Sequence, residues 1–209
     1  NYENQHAEIY DTENSDRAFE EEVMLSGFDK AAVKSEGAAV TYDNAQETFT
    51  ARYQHETIAL AFAITEEAIE DNLYDKISTR YTKALARSMA QTKQVKAATI
   101  LDNAFTAGAS AGGDGKALLA TDHPTIAGTF SNELATSADL SETSLEQACI
   151  DIAKMTDERG LKIAAKGQKL IIHSSQQFIA ERIMKSANRV GTADNDINAL
   201  ASKGMIPQG

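Results

Sequence analysis

The sequence predicts an α+β protein, and three segments lead to that prediction. Residues 46–64 alternate with the period of a β-strand, whereas residues 65–105 contain no Gly or Pro and are rich in helix formers. Residues 143–185 have the patterns of a helix, a short buried strand and a second helix. Strands and helices therefore dominate different parts of the chain, which is typical of α+β architecture.

The chain is acidic, poor in cysteine and long enough for one or two folded domains. It has 209 residues, 42% of them hydrophobic, with a net charge of −11 and one Cys. One cysteine excludes an internal disulfide framework and favours a reducing compartment. The acidic balance argues against a protein whose whole surface binds nucleic acid. No apolar run approaches the ~20 residues of a membrane span, and the acidic start is unlike a signal peptide.

Residues 1–22 form a strongly acidic segment in which Arg17 is the only Lys or Arg. Its acids are Glu3, Glu8, Asp11, Glu13, Asp16, Glu20, Glu21 and Glu22. Such a segment cannot build a core by itself. We expect either a solvated tail or an arm that lies across a basic surface of a neighbouring molecule. Because the chain begins with Asn1 and not Met, we also expect processing or a longer parent chain.

Residues 27–64 are predicted to be extended, with a turn near Ser35, Glu36 and Gly37. The apolar positions are odd from Phe49 to Tyr53 but even from Ile58 to Ile64. Because side chains alternate across a sheet, this change moves the buried face to the other side. Two interpretations are open: a hairpin whose return strand leaves one sheet for another, and a bulge within a single sheet.

Residues 65–105 are predicted to form one long helix, which Thr65 caps and Gly108 ends. About 40 residues with a rise of 1.5 Å make a rod of roughly 60 Å, longer than a compact globule of this size. A kink, or a break near Thr92, is the alternative. The apolar ridge drifts by about 40° at each step, so the helix should pack different partners on different sides. The ridge consists of Ile69, Leu73, Ile77, Tyr81, Leu85 and Met89.

Charge is segregated along this helix: acidic residues occupy its first part and basic residues follow. Pairs of like charge four residues apart destabilise an isolated helix by a few tenths of a kcal/mol each, roughly. The bases are therefore predicted to meet an external anion, either the acidic arm of a neighbour or nucleic-acid phosphates. A merely solvated face is the alternative. The predicted contact residues are Lys76, Arg80, Lys83 and Arg87.

Residues 107–141 read as loops and short strands, and a second mixed region follows. Thr143 and Glu146 have the spacing of a capping box, and Gly160 is the expected end of that helix. Its apolar stripe is Leu145, Cys149, Ile152 and Met155. A buried strand is predicted at residues 169–173, and Ser175 is predicted to cap a helix that carries Phe178, Ile179, Ile183 and Met184.

No motif predicts catalysis, a metal or a cofactor. The Gly108–Lys116 stretch fails as a phosphate loop, because Ser110 stands where the first glycine belongs and Ala117 follows the lysine. Residues 194–198 begin like a calcium loop but lack its glycine and its final acid. Cys149 lies on an apolar stripe and is predicted to be a core residue. The four histidines are too scattered to form a ligand pair.

Several strings together resemble the major capsid protein of tailed double-stranded DNA phages, of the kind found in Mu-like prophages. The resemblance covers about residues 25–205. The strings are residues 64–75, the Asp122-His123-Pro124 loop, Asn132, residues 140–145 and residues 195–200.

The resemblance implies the Hong Kong 97-type capsid fold. Residues 1–24 would be the N-terminal arm, residues 25–64 the E-loop and its return strand, and residues 65–144 a P domain with a spine helix at 65–106. Residues 145–209 would begin an A domain of α/β type, which we expect to be incomplete at its C-terminus. Lys30, Lys34 and Glu36 would lie near the E-loop tip and contact a neighbour.

The implied function is a structural one. Hexamers and pentamers of this chain would assemble in the host bacterial cytoplasm into the icosahedral head of a virion, around packaged double-stranded DNA. Portal, scaffold and decoration proteins are possible further partners, and no membrane is implied. An encapsulin-like nanocompartment shell is the nearest alternative. A soluble α/β enzyme that uses the Gly108–Lys116 loop and a helical adaptor are the more distant ones.

Overall fold

The computed structural model describes residues 4–70, 77–108, 112–189 and 196–203. The chain divides into two compact units. The first unit contains residues 1–24 and 49–119, and the second contains residues 25–48 and 120–209. The described residues include both helices and short strands, which fits the predicted α+β class.

Two strands, β1 (Phe19–Leu25) and β2 (Glu47–Gln54), pair in a two-stranded sheet. The N–H of Ser26 donates to the carbonyl of Gln46 at 2.8 Å, and the N–H of His55 donates to that of Ala18 at 3.2 Å. These bonds join the end of one strand to the start of the other, so the pair is antiparallel. The intervening segment, residues 27–46, is called the hairpin loop below.

The turn predicted near Ser35, Glu36 and Gly37 is confirmed. The N–H of Ala38 donates to the carbonyl of Ser35 at 3.2 Å, and Gly37 has a φ of 77°. That positive φ is what the third residue of a type II turn requires, and glycine adopts it without steric cost.

The predicted strand over residues 46–64 is too long, because β2 ends at Gln54. The next residues, 55–65, belong to no strand. Instead, Glu56 forms an ion pair with Lys96, and the ring of Phe62 contacts the ring of Tyr81. An extended segment that lies on a helix also alternates with period two, since every second side chain faces the helix. The change of phase therefore marks neither a second sheet nor a bulge.

The predicted long helix is described in two parts, α1 (Glu66–Glu70) and α2 (Ile77–Asp102). Residues 71–76 between them lie outside the described residues, so the prediction of one unbroken rod stays a prediction. A break near Thr92 is wrong, because α2 runs through that position. Its 26 residues span roughly 39 Å. The predicted end at Gly108 is also wrong, because α2 ends at Asp102 and turns follow.

Helix α2 packs different partners on different sides, as its rotating ridge predicts. Phe62 meets Tyr81 near the start of the helix. Near its end, the side chain of Gln94 accepts the N–H of His6 at 3.0 Å, and the carbonyl of Ala97 accepts the hydroxyl of Tyr10 at 2.9 Å. Positions 81 and 97 are about 160° apart around the axis. The acidic segment is therefore not simply a solvated tail, because it docks on α2 and then forms β1.

Among its described residues, the second unit contains a short two-stranded β-hairpin, three α-helices and one short 3-10 helix. Strands β3 (His123–Thr125) and β4 (Gly128–Phe130) are antiparallel, with His123 opposite Phe130. The helices are α3 (Glu142–Lys154), α4 (Gln177–Lys185) and α5 (Ala199–Lys203). Their apolar faces form a small core of Leu145, Cys149, Ile183 and Leu200, against which Leu140, Leu170, Ile179 and Met184 pack. The predicted burial of Cys149 is thus confirmed.

The predicted helix caps differ from the observed ones. Ser141, not Thr143, is the N-cap of α3, and it forms a capping box with Ser144. A cap residue needs an extended backbone, which Ser141 has, whereas Thr143 already lies in the first turn. The helix ends at Lys154, before Gly160. Ser175 does not cap α4, because it lies inside a short 3-10 helix (Ser174–Gln176) that precedes α4. His173 caps that 3-10 helix by accepting the N–H of Ser175 at 3.2 Å, whereas the N-cap of α4 is Gln176, which forms no side-chain cap bond.

The strand predicted at residues 169–173 is absent from the described structure, in which this segment has no regular secondary structure. Leu170 packs on the core and Ile171 is 53% exposed. Apolar side chains alone do not make a strand, because its N–H and C=O groups also need a partner in register. The predicted layer of helix, strand and helix is therefore wrong for the described residues.

Candidate functional site

The hairpin loop has several large apolar side chains that are exposed to solvent. Val33 is 99% exposed and Tyr42 is 93% exposed, and Phe28 and Val40 are exposed beside them in the sequence. The predicted contact residues Lys30, Lys34 and Glu36 belong to the same loop and are exposed as well. Single exposed apolar residues are ordinary, but several in one short loop are typical of an interaction surface.

We call the two ends of this loop, residues 26–29 and 43–46, its root. Polar contacts hold the root together, and sequence reasoning missed them. The carboxylate of Asp43 accepts the N–H of Asp29 at 2.7 Å and that of Asn44 at 2.9 Å. The side chain of Arg159 reaches the same place, with Nη2 donating to the carbonyl of Asn44 at 2.8 Å. The N–H of Asp29 is the main cause of the lowered pKa of Asp43, and Asn44 and the Arg159 charge act in the same direction. No local pattern around residue 159 indicates this distant contact.

The basic residues of α2 form a stripe on its exposed surface. Arg80, Lys83 and Arg87 lie within an arc of about 60° and along about 10 Å of the axis. All three are exposed and have no partner in the described part of the chain. Lys76, the fourth predicted member, lies outside the described residues. We call Arg80, Lys83 and Arg87 the basic stripe.

The acidic segment uses part of its charge within the chain. Glu20 pairs with Arg17 at 3.6 Å, and Glu21 accepts from Nε of Arg52 at 2.6 Å. A second group, Asp11, Glu13 and Asp16, is exposed and has no partner among the described residues. These three carboxylates match the basic stripe in number and oppose it in sign.

Within the glycine-rich stretch, Gly113 packs closely against β2. A Cβ at Gly113 would come within 3.1–3.2 Å of the backbone of Thr50 and Ala51, so β2 leaves little room for a side chain. The following residues form a turn in which Asp114 accepts the N–H of Lys116 at 3.1 Å. Residues 109–111 lie outside the described part.

The described residues have an open groove, but no metal cluster and no helix that could span a membrane. They contain no cluster of three His, Cys, Asp or Glu that could hold a metal ion. None of their helices is long and apolar enough to cross a membrane. An open groove of about 280 Å³ lies beside α3 and is lined mainly by apolar residues such as Leu140, Leu170 and Ile172. In the predicted calcium-like stretch, Asn198 is buried and caps α5 with its side chain.

Comparison with known proteins adds one positive finding. A family model described as phage capsid protein matches residues 47–207, which is more than half of the chain. The match begins with β2 and includes the basic stripe and the described helices, but not β1 or the hairpin loop. No curated protein and no solved structure matches the chain.

Proposed function

Because the chain belongs to the phage capsid protein family, we propose that it is the major capsid protein whose copies assemble into an icosahedral head around packaged double-stranded DNA. The family is structural rather than enzymatic, and its place is the capsid of the virion. The finer assignment extends this family membership to a Mu-like head subunit with the Hong Kong 97-type fold. Portal, scaffold or decoration proteins would be further partners, and the host cytoplasm would be the place of assembly.

The proposed domain division follows that fold. Residues 1–24 are the arm, residues 25–64 the E-loop and return strand, residues 65–144 the P domain, and residues 145–209 the start of the A domain. The length of α2 and the exposed hairpin loop support this division, since a shell subunit needs long elements and surfaces that its own core does not cover.

The exposed apolar side chains of the hairpin loop carry the proposal. An isolated chain gains nothing from leaving Phe28, Val33, Val40 and Tyr42 in water, whereas a neighbouring copy can cover them. Burial of a large apolar side chain contributes about 1.5–3 kcal/mol. Repeated in every copy of a closed shell, such modest contacts add up to a stable container.

Charged contacts supplement this apolar one. Lys76 and the basic stripe would contact either the free acids of a neighbour, Asp11, Glu13 and Asp16, or phosphates of the packaged DNA. Near the tip of the hairpin loop, Lys30, Lys34 and Glu36 would contact a neighbouring copy. These charges help to choose the partner and its register more than they add affinity.

Negative-stain electron microscopy of the expressed chain tests the proposal. We expect closed particles of uniform size, and a chain that stays monomeric or dimeric at high concentration would contradict assembly. Ultraviolet absorbance of particles isolated from phage-infected cells then separates the two shell functions. DNA-filled heads absorb strongly at 260 nm, whereas an encapsulin-like shell would contain protein and absorb at 280 nm.

A further inference from the structure

The turn at residues 157–160 is held by several hydrogen bonds within the second unit. One carboxylate oxygen of Asp157 accepts the N–H of Arg159 at 3.0 Å and that of Leu161 at 2.7 Å. The N–H of Ala127 donates to the carbonyl of Glu158 at 3.0 Å, which ties the turn to the β3–β4 hairpin. The backbone of residue 159 is therefore held from two sides.

The side chain of Arg159 extends from this turn to both limbs of the hairpin loop. Its Nη1 lies 3.3 Å from the carboxylate of Asp29 on the outgoing limb and 3.9 Å from that of Asp43 on the returning limb. Its Nη2 donates to the carbonyl of Asn44 at 2.8 Å. One guanidinium thus bridges two segments that are 14 residues apart in sequence.

Burial makes these contacts more than an ordinary surface ion pair. The Arg159 side chain is only 8% exposed, although its partner Asp29 is 63% exposed and its partner Asp43 is 37% exposed. Its Nε has no acceptor among the described residues, so Nη1 and Nη2 provide the polar contacts of the charge. A buried cation is costly unless it is paired and hydrogen-bonded, and loss of these partners would leave it uncompensated.

The loop beyond the root is much less restrained. From residue 30 to residue 42 every side chain is exposed, and the described backbone hydrogen bond in this stretch is the Ser35–Ala38 turn. The root is fixed by Arg159, by the Asp29–Asp43 bond and by the Ser26–Gln46 pair. The position of the distal part therefore depends on how firmly the root is held.

We propose that Arg159 is a positioning residue, which clamps the two limbs of the hairpin loop to the 157–160 turn and so sets the direction of the loop. The clamp is a property of the single chain. Its consequence for assembly rests on the proposed function, because the loop would present its apolar side chains to a neighbouring copy only when its root is fixed.

Amide hydrogen exchange of the full chain in its unassembled form tests the clamp. In Arg159→Met, we expect exchange at Asp29 and at the Ser26 and Gln46 amides to accelerate at least tenfold, while the amides of α3 and α4 stay protected. Lys162→Met is the matched control, since Lys162 lies three residues away with an exposed side chain. Trypsin should also cleave faster after Lys30 and Lys34 in Arg159→Met than in the control.

Arg159→Lys separates positioning from mere charge. A lysine keeps the positive charge but cannot bridge two limbs with a planar fork, so we expect intermediate exchange at the root. If Arg159→Met does not fold, this variant provides the test. Exchange at the root that stays at the wild-type rate in a folded Arg159 variant would overturn the clamp.

Particle yield is measured separately, so that the two proposals fail independently. Faster exchange at the root with a reduced yield supports both the clamp and the role of the loop in assembly. Faster exchange with an unchanged yield supports the clamp and contradicts the assembly role. Unchanged exchange refutes the clamp whatever the yield.

Discussion

The ring of Phe62 meets the ring of Tyr81 edge-on, with centroids 5.7 Å apart and planes inclined by 62°. This geometry places the positive edge of one ring against the negative face of the other. The contact holds the extended segment after β2 against α2, where an ion pair between Glu56 and Lys96 provides a second anchor. Two separate anchors therefore hold residues 56–62 on α2, although these residues belong to no strand.

Phe62→Ala is expected to destabilise the chain by about 1–2 kcal/mol, because half-buried aromatic area and the edge-to-face contact are both lost. The free energy of unfolding in urea measures this loss. Phe178→Ala is the control, since Phe178 is 73% exposed and its removal should change the free energy by less than about 0.5 kcal/mol. Equal effects of the two substitutions would contradict the anchor.

Reversal of charge at Arg80 and Arg87 to Glu should reduce the yield of DNA-filled particles at moderate salt by about tenfold. The helix itself should not suffer, because each new Glu gains Lys83 as a neighbour of opposite charge three or four residues away. Particles are counted by electron microscopy, with circular dichroism as the check on folding. The control is Lys93→Glu with Lys166→Glu, which changes the net charge equally at exposed positions outside the stripe.

The anion that the basic stripe meets can be identified by a second set of substitutions. If the partner is the acidic segment of a neighbour, neutralising Asp11, Glu13 and Asp16 to their amides should lower particle yield as the stripe reversal does. If the partner is packaged DNA, both the acid substitutions and the stripe reversal should still give empty shells with wild-type yield. A wild-type yield of DNA-filled particles from both sets would refute the charge contact altogether.

Asn198→Ala should cost about 2–4 kcal/mol in unfolding free energy, because several buried backbone groups lose their partner together. The amide of Asn198 is 1% exposed, donates to the carbonyls of Ile183 and Ser186, and accepts the N–H of Leu200. Urea denaturation is the measurement. Gln177→Ala, at an exposed position of α4, should change stability by less than about 0.5 kcal/mol.

The thiol of Cys149 should react at least 100-fold more slowly with an aromatic disulfide reagent in the native chain than in urea. Burial, and to a smaller extent the charge of Glu146, raises the pKa of this thiol. Since only the thiolate is nucleophilic, both the raised pKa and the lack of access slow the reaction. Rapid labelling of the native chain would show that α3 does not shield Cys149.

Acidification should loosen the root of the hairpin loop. The pKa of Asp43 is lowered from its ordinary value of 3.8, mainly by the N–H of Asp29, and the charged groups that face it are Asp29 and Arg159. A carboxyl with a lowered pKa stabilises the fold above its ordinary pKa, and this contribution is lost as the pH falls through the folded value. Protection of the Asp29 amide, corrected for intrinsic exchange, should therefore fall below about pH 4.

Asp43→Asn provides the comparison for this pH dependence. The variant keeps an oxygen that can accept one N–H but has no group that titrates in this range. Its root should be less protected at neutral pH and should change less on acidification than that of the wild type. An identical pH profile in the variant would mean that another carboxyl controls the root.

Local features of the fold could be predicted from the sequence because each has a local cause. The 35–37 turn follows from a glycine that can adopt positive φ, and the buried stripe of α3 follows from helical spacing. The prediction of a strand at residues 169–173 was wrong because apolar composition does not provide a hydrogen-bonding partner. The predicted return strand was too long because alternating apolar residues can also occur in a segment that lies on a helix without belonging to a sheet.

Recognition of the capsid family was possible because its strings are spread over most of the chain, and the family match agrees with it. The basic stripe was also visible in the sequence, since helical geometry alone gathers Arg80, Lys83 and Arg87 on one face. The Arg159 clamp was not visible, because its partners are more than 110 residues away along the chain.

Amino-acid order alone determined the approximate places of α2, α3 and α4, the turn in the hairpin loop, the charge pattern and the family, because each depends on residues close together or on recognisable strings. Tertiary structure decided the partners of every extended segment and the burial of Arg159. Those outcomes depend on which distant groups satisfy exposed N–H, C=O and charged groups, and local spacing does not specify such pairings.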